Sequence, residues 1–158
     1  MADSHDLVLI RNALIDNYNA YAQGLDSKDW ALVRSCFADE IYLDYGTLNP
    51  DWGDPSLPRD ADDWLEVLQG VINGFDITRH TITNHRVVVD GDAVSCRAYL
   101  IADHVKFRDP AVPFVGPEDV VTVVGEYTNV YTRQRDSWKI QRSQLVVNWT
   151  SGNPALVP

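Results

Sequence analysis

The sequence predicts an α+β fold in which a long, curved antiparallel or mixed sheet wraps as a cone around N-terminal helices. Three observations carry that expectation. Leu7, Ile10, Leu14, Tyr18, Tyr21 and Leu25 recur at steps of three and four, the spacing of one helical stripe. After residue 77 the apolar period switches to two and stays there. Turn-forming residues divide that region into two hairpins of long strands, and helices followed by antiparallel strands mark the α+β class.

The first helix is expected over residues 5–24, with Gly24 near its end and Asp26 following it. A short second helix starts behind Ser27 as its cap, places Asp29 in its first turn, turns Trp30, Val33 and Phe37 inward, and stops near Ala38. Ile41, Leu43 and Tyr45 then alternate with Tyr42 and Asp44 as a strand. Pro50, Gly53, Pro55 and Pro58 break regularity over residues 46–58, a loop expected to rim the site. Asp60 or Asp62 caps a third helix carrying Trp64, Val67, Leu68, Val71 and Ile72 and ending at Gly74. Residues 80–90 and 93–107 form one hairpin through Asp90, Gly91 and Asp92; residues 119–133 and 137–149 form another through Arg135 and Asp136. The proline-bearing stretch 108–118 is a loop between strands of one sheet.

A chain of 158 residues with 45% apolar composition fits a single domain spanning 1–158. Thirteen basic residues against 23 acidic ones give a formal charge of −10, which repels polyphosphates and argues against nucleic acid as a partner. No apolar run approaches the ~18 residues of a membrane span, and Asp3, Asp6 and Asp16 stand where a basic leader would be, so a cytoplasmic location and no membrane partner are expected. Cys36 and Cys96 lack metal or disulfide spacing and read as small core residues. No phosphate loop, nucleophile elbow or metal-binding helix is present, so neither cofactor nor metal is expected.

The candidate chemistry rests on Asp26 and His80. A sheet closing over the first helix brings them together, and a carboxylate that holds an imidazole in one tautomer makes a general base. His104 ends a strand face shared with Cys96, Ala98, Leu100 and Ala102, where it either enters a pocket or reaches solvent. Tyr45 shares the parity of Ile41 and Leu43, so its hydroxyl either packs in the core or enters the cavity. His85 has the opposite parity to His80 and is expected outside; His5 belongs to a frayed terminus.

These residues resemble the nuclear transport factor 2-like superfamily in its SnoaL-like branch, and within it the scytalone dehydratases. The run from Leu25 to Trp30, continued by Leu32, Arg34, Cys36, Ala38, Asp44 and Tyr45, is similar to the family's first helical segment and strand. Arg79 and His80 resemble the segment bearing its catalytic histidine, and His104 to Asp109 the strand bearing a second pocket histidine. Glu126 to Asn129 with Trp138 and Lys139 resemble the closing hairpin, and the likeness covers residues 5–149.

The resemblance implies a cone-shaped, cystatin-like α+β barrel. It further implies that Asp26 and His80 are the catalytic pair, that Tyr45 polarises the water to be eliminated, and that His104 assists. Asn129 would contact substrate. Two positions depart from the family pattern: Leu25 stands in place of a tyrosine and Tyr127 in place of a serine. Tyr21, one turn earlier, is expected to supply the phenol missing at Leu25, so Tyr21, Leu25, Asn129 and Tyr127 form the expected substrate-binding set. The expected function is a cofactor-independent dehydratase acting on a small hydrophobic ring-containing substrate. Isomerisation or aldol-type cleavage on the same dyad is an alternative, as is a non-catalytic module like the β subunits of ring-hydroxylating dioxygenases. A homo-oligomer, dimer or trimer, is expected through β-branched residues around Val120–Val124 on the open sheet face.

Overall fold

The apolar stripe of the N-terminal segment becomes helix α1 (Ser4–Ser27) in the computed structural model, which describes residues 4–48 and 54–157. α1 runs one turn beyond the expected end, so Asp26 lies in its last turn and not after it. Gly24 permits this: a Cβ there would sit 2.7 Å from Val33 Cγ2 and 3.0 Å from the Val33 amide nitrogen, so only glycine lets the next helix lie so close. Lys28, with φ 56°, then reverses the chain, and the Asp29 N–H donates to the Gly24 carbonyl at 2.8 Å. Asp29, rather than Ser27, caps α2 (Trp30–Ser35), its Oδ1 accepting from the Leu32 N–H at 3.0 Å. Ser27 instead donates back to the Gln23 carbonyl. Replacing Gly24 by Ala is expected to lower stability by roughly 1–3 kcal/mol, because backbone atoms of α2 cannot yield. An unchanged denaturant midpoint would contradict that contact.

α2 ends before Ala38 because Phe37 already belongs to strand β1 (Phe37–Asp44). The rim loop falls partly on residues 49–53, outside the described residues. It returns through β2 (Arg59–Asp60), a two-residue strand too short to read from sequence. Asp60 caps α3 (Ala61–Ile72), which ends at Asn73 and buries Trp64, Leu68 and Ile72. Each such side chain contributes roughly 1.5–3 kcal/mol on burial. β3 (Ile77–Asp90), β4 (Ala93–Val105), β5 (Val120–Gln134) and β6 (Ser137–Gly152) follow as two hairpins, turning at Gly91 (φ 59°) and Arg135 (φ 56°).

The six strands form one mixed sheet in the order β2-β1-β6-β5-β4-β3, with β1 parallel to β6 and every other pairing antiparallel. The α+β class is therefore as expected, and the sheet has two edges and is not closed. Extra residues on β3 (Asn84 and His85 against Ala98) and on β6 (Gln141 and Asn148) make bulges that bend the sheet around α1, which packs against β3.

The β3 bulge corrects one expectation. Asn84 takes φ 56°, and the inserted residue shifts parity, so His85 faces inward with His80. Its ring meets Tyr18 edge-on at 5.2 Å. His5 is exposed but helical, in the first turn of α1. Val121 and Val123 point into the core, so only Val120, Thr122 and Val124 of that run face outward. Cys36 and Cys96 are buried free thiols, as expected. No helix among the described residues is long and apolar enough to cross a membrane.

Candidate active site

The last turn of α1 and the start of β3 meet at Asp26. His80 Nδ1 lies 2.7 Å from Asp26 Oδ1, and the backbone N–H of His80 donates to Oδ2 at 3.0 Å. The Thr78 hydroxyl adds a third bond, donating to Oδ1 at 2.9 Å. Thr78 and His80 are two residues apart on β3 and so project from the same face toward one carboxylate. Burial by itself would raise the Asp26 pKa, but the hydrogen bonds from His80 and Thr78 and the histidine's charge outweigh it and hold the carboxyl below its usual value. An ionised Asp26 accepts from Nδ1–H, which leaves Nε2 of His80 as the basic lone pair. The His80 side chain is only 5% exposed and Asp26 16%, so little water competes for the pair.

His80 lines a cavity of about 150 Å³ between α1, α3 and the concave face of the sheet. Leu25, Trp64, Leu68, Ile72, Leu100 and Leu145 supply apolar wall. Tyr21, Tyr45 and Tyr127 supply a wall of phenols whose hydroxyls lie close enough to exchange hydrogen bonds. Burial raises the pKa of all three, so each keeps its proton and remains a donor. Tyr45 is held by Ser143, with Oη and Oγ 3.2 Å apart, and by the edge of Trp64 at 5.0 Å. His104 meets His80 edge-on at 5.4 Å. Burial first, and His80 second, lower its pKa to about 4, so it stays neutral at physiological pH.

A long first helix, a bulged sheet and a histidine held by a helix-end aspartate inside the cone are now all in place, and residues 7–144 match the SnoaL-like domain family. The chain belongs to that family. The uncharacterised protein Rv2910c of Mycobacterium tuberculosis (strain H37Rv) is 27% identical over 144 residues, 90% of this chain and 85% of its own. The crystal structure of Kfla4162 from Kribbella flavida superposes with a TM-score of 0.80 at 26% identity, covering 96% of this chain and 98% of its own. Two more distant structures share the fold. One is the type 3 hexachlorocyclohexane dehydrochlorinase LinA from Novosphingobium barchaimii LL02 (TM-score 0.73, 17% identity, 96% and 95% covered). The other is a protein from Novosphingobium aromaticivorans DSM 12444 provisionally named scytalone dehydratase (TM-score 0.69, 20% identity, 94% and 93% covered).

In this SnoaL-like protein the structure brings together Asp26, His80, Tyr45 and His104, with Tyr21, Leu25 and Tyr127 around the same space. Asn129 is the exception. It is buried and pairs in register with Ser143, but is not among the residues that line the cavity. His104, held neutral by burial, is placed to act as a neutral hydrogen-bonding group. Sequence reasoning missed Thr78 and Ser143. Both sit at inward strand positions where β-branched or small residues are ordinary core, so neither carries a local signal.

Proposed function

We propose that this SnoaL-like protein is a cofactor-independent lyase that eliminates water from a small, uncharged, single-ring hydroxy-carbonyl compound. The observation that carries the reading is the buried Asp26–His80 pair opening on an apolar cavity walled by three protonated phenols. A void near 150 Å³ matches the space a single aromatic ring occupies, and among the described residues no Lys, Arg, Asp or Glu side chain lines it.

His80 Nε2 removes a proton from the carbon next to the carbonyl, and the electron pair moves onto the carbonyl oxygen. Tyr45, backed by Ser143 and flanked by Tyr21 and Tyr127, donates to that oxygen. Its collapse re-forms the carbonyl, makes the carbon–carbon double bond and expels the hydroxyl, which leaves as water with the proton carried by His80. A positioned base supplies about 10²–10⁴-fold in rate and a preorganised oxyanion donor about 10²–10³-fold. Tyr21 stands beside Tyr45 and offers the phenol that Leu25 lacks. Two fold neighbours named for eliminations, of hydrogen chloride and of water, support the class. A binding or assembly module has no need of a dyad in contact and shielded from water, which favours catalysis over that alternative.

The test is a panel of monocyclic β-hydroxy ketones, followed by the rise of conjugated enone absorbance and by deuterium uptake at the α carbon in heavy water. Turnover of at least one member supports the reading. Binding without either signal across the panel would overturn it.

A further inference from the structure

We propose that Thr78 is a positioning residue for the dyad, its hydroxyl holding the plane of the Asp26 carboxylate in the orientation that meets His80. The proposal rests on the reading of Asp26 and His80 as the working pair and adds a third member to it.

Thr78 is the second residue of β3 and only 1% exposed, at an inward position whose counterparts farther along the strand are Ile82, Val87 and Val89. Packing alone would be met by valine, which has the same shape, and a buried hydroxyl is costly unless it is bonded. Here it is bonded: it donates to Asp26 Oδ1 at 2.9 Å, the oxygen that also lies 2.7 Å from His80 Nδ1. Oδ2 takes the His80 backbone N–H at 3.0 Å. A carboxylate presents about four lone-pair sites, and three are filled by donors from one strand. Rotation of the carboxylate out of this plane about the Cβ–Cγ bond would stretch the Thr78 bond together with the bond to the imidazole. With the hydroxyl gone, Oδ1 keeps a single donor and that brake on rotation is lost.

The same bond is one of the interactions that keep the Asp26 carboxyl below its ordinary value. His80 touches the carboxylate and His104 lies beyond it; Lys28 Nζ donates to the Phe75 carbonyl at 2.8 Å, and Arg79 Nη1 donates to the Thr78 carbonyl at 3.3 Å. Loss of the Thr78 hydroxyl therefore acts on Asp26 directly.

The experiment is a ¹³C NMR titration of the Asp26 side-chain carboxyl in the full-length wild type, Thr78→Val and Thr78→Ser, with circular dichroism confirming the fold. It needs no substrate, so its outcome is independent of whether the lyase reading survives. Thr78→Val is expected to move the Asp26 midpoint up by about one pH unit, and Thr78→Ser to restore the wild-type midpoint. If Thr78→Val does not fold, Thr78→Ala gives the same readout. Wild-type titration in the hydroxyl-free variant would overturn the proposal. So would a serine variant shifted as far as valine, because the methyl and not the hydroxyl would then be responsible.

Discussion

Replacing His80 by Gln is expected to lower the rate of elimination by about 10²–10⁴-fold, the usual contribution of a positioned general base. The fold should stay intact. Glutamine is close to histidine in volume, and its amide can still donate toward Asp26, so the carboxylate is not left buried without its partner. What disappears is the basic lone pair that Nε2 presents to the cavity. Neighbouring groups cannot take over: the phenols of Tyr21, Tyr45 and Tyr127 are held protonated by burial, and Asp26 faces His80 and Thr78. Single-turnover measurement separates this chemical step from binding, and a variant that keeps a tenth or more of the wild-type rate would remove His80 from the role of base.

The second large effect is on stability in acid, and it comes from His104. Its folded pKa of about 4 lies below the ordinary 6.5, so between those values the unfolded chain binds a proton that the folded chain refuses. Stability therefore falls as pH drops from about 6.5 toward 4, with roughly 3 kcal/mol of the loss from His104; His85, whose pKa is lowered by burial and by Arg11, acts in the same direction. Asp26 adds an effect in the same direction at lower pH. Its carboxyl is held below the usual value, so it stabilises the fold above the ordinary carboxylate range, and that contribution is lost as pH falls through the depressed value. Replacing His104 by Phe, which can pack against Phe75 as the imidazole does at 5.0 Å, should make the dependence between pH 6.5 and 4 shallower, leaving the part due to His85. Urea midpoints that fall in parallel for the two proteins would contradict this.

How much of this was legible in the sequence depends on the range of the signal. The helix stripe through Leu14, Tyr18 and Tyr21 and the alternation through Cys96, Ala98, Leu100, Ala102 and His104 are local, and both elements lie where their periods place them. Asp26 and His80 were readable as a pair because a helix end and a strand start each fix the direction of a side chain. The inward turn of His85 was not. A single Asn84 at positive φ shifts the register, and asparagine tolerates that conformation without any composition that announces it. Parallel pairing of β1 with β6 joins residues about a hundred positions apart and leaves no trace in either strand alone. The place of Asn129, inward on β5 but off the cavity lining, was not legible either: a strand's alternation shows which face a residue takes, not how far along the strand a cavity extends. Thr78 was invisible because an inward β-branched residue is indistinguishable from core until its hydroxyl is seen against Asp26.

Elimination by this dyad requires Asp26 to hold His80 with its proton on Nδ1 and its lone pair on Nε2. The ¹⁵N chemical shifts of the His80 ring at neutral pH, in the wild type and in Asp26→Asn, report that tautomer directly. A protonated Nδ1 and a bare Nε2 are expected in the wild type, with that preference lost in the variant. A wild-type ring protonated on Nε2, or a tautomer indifferent to the substitution, would contradict that requirement.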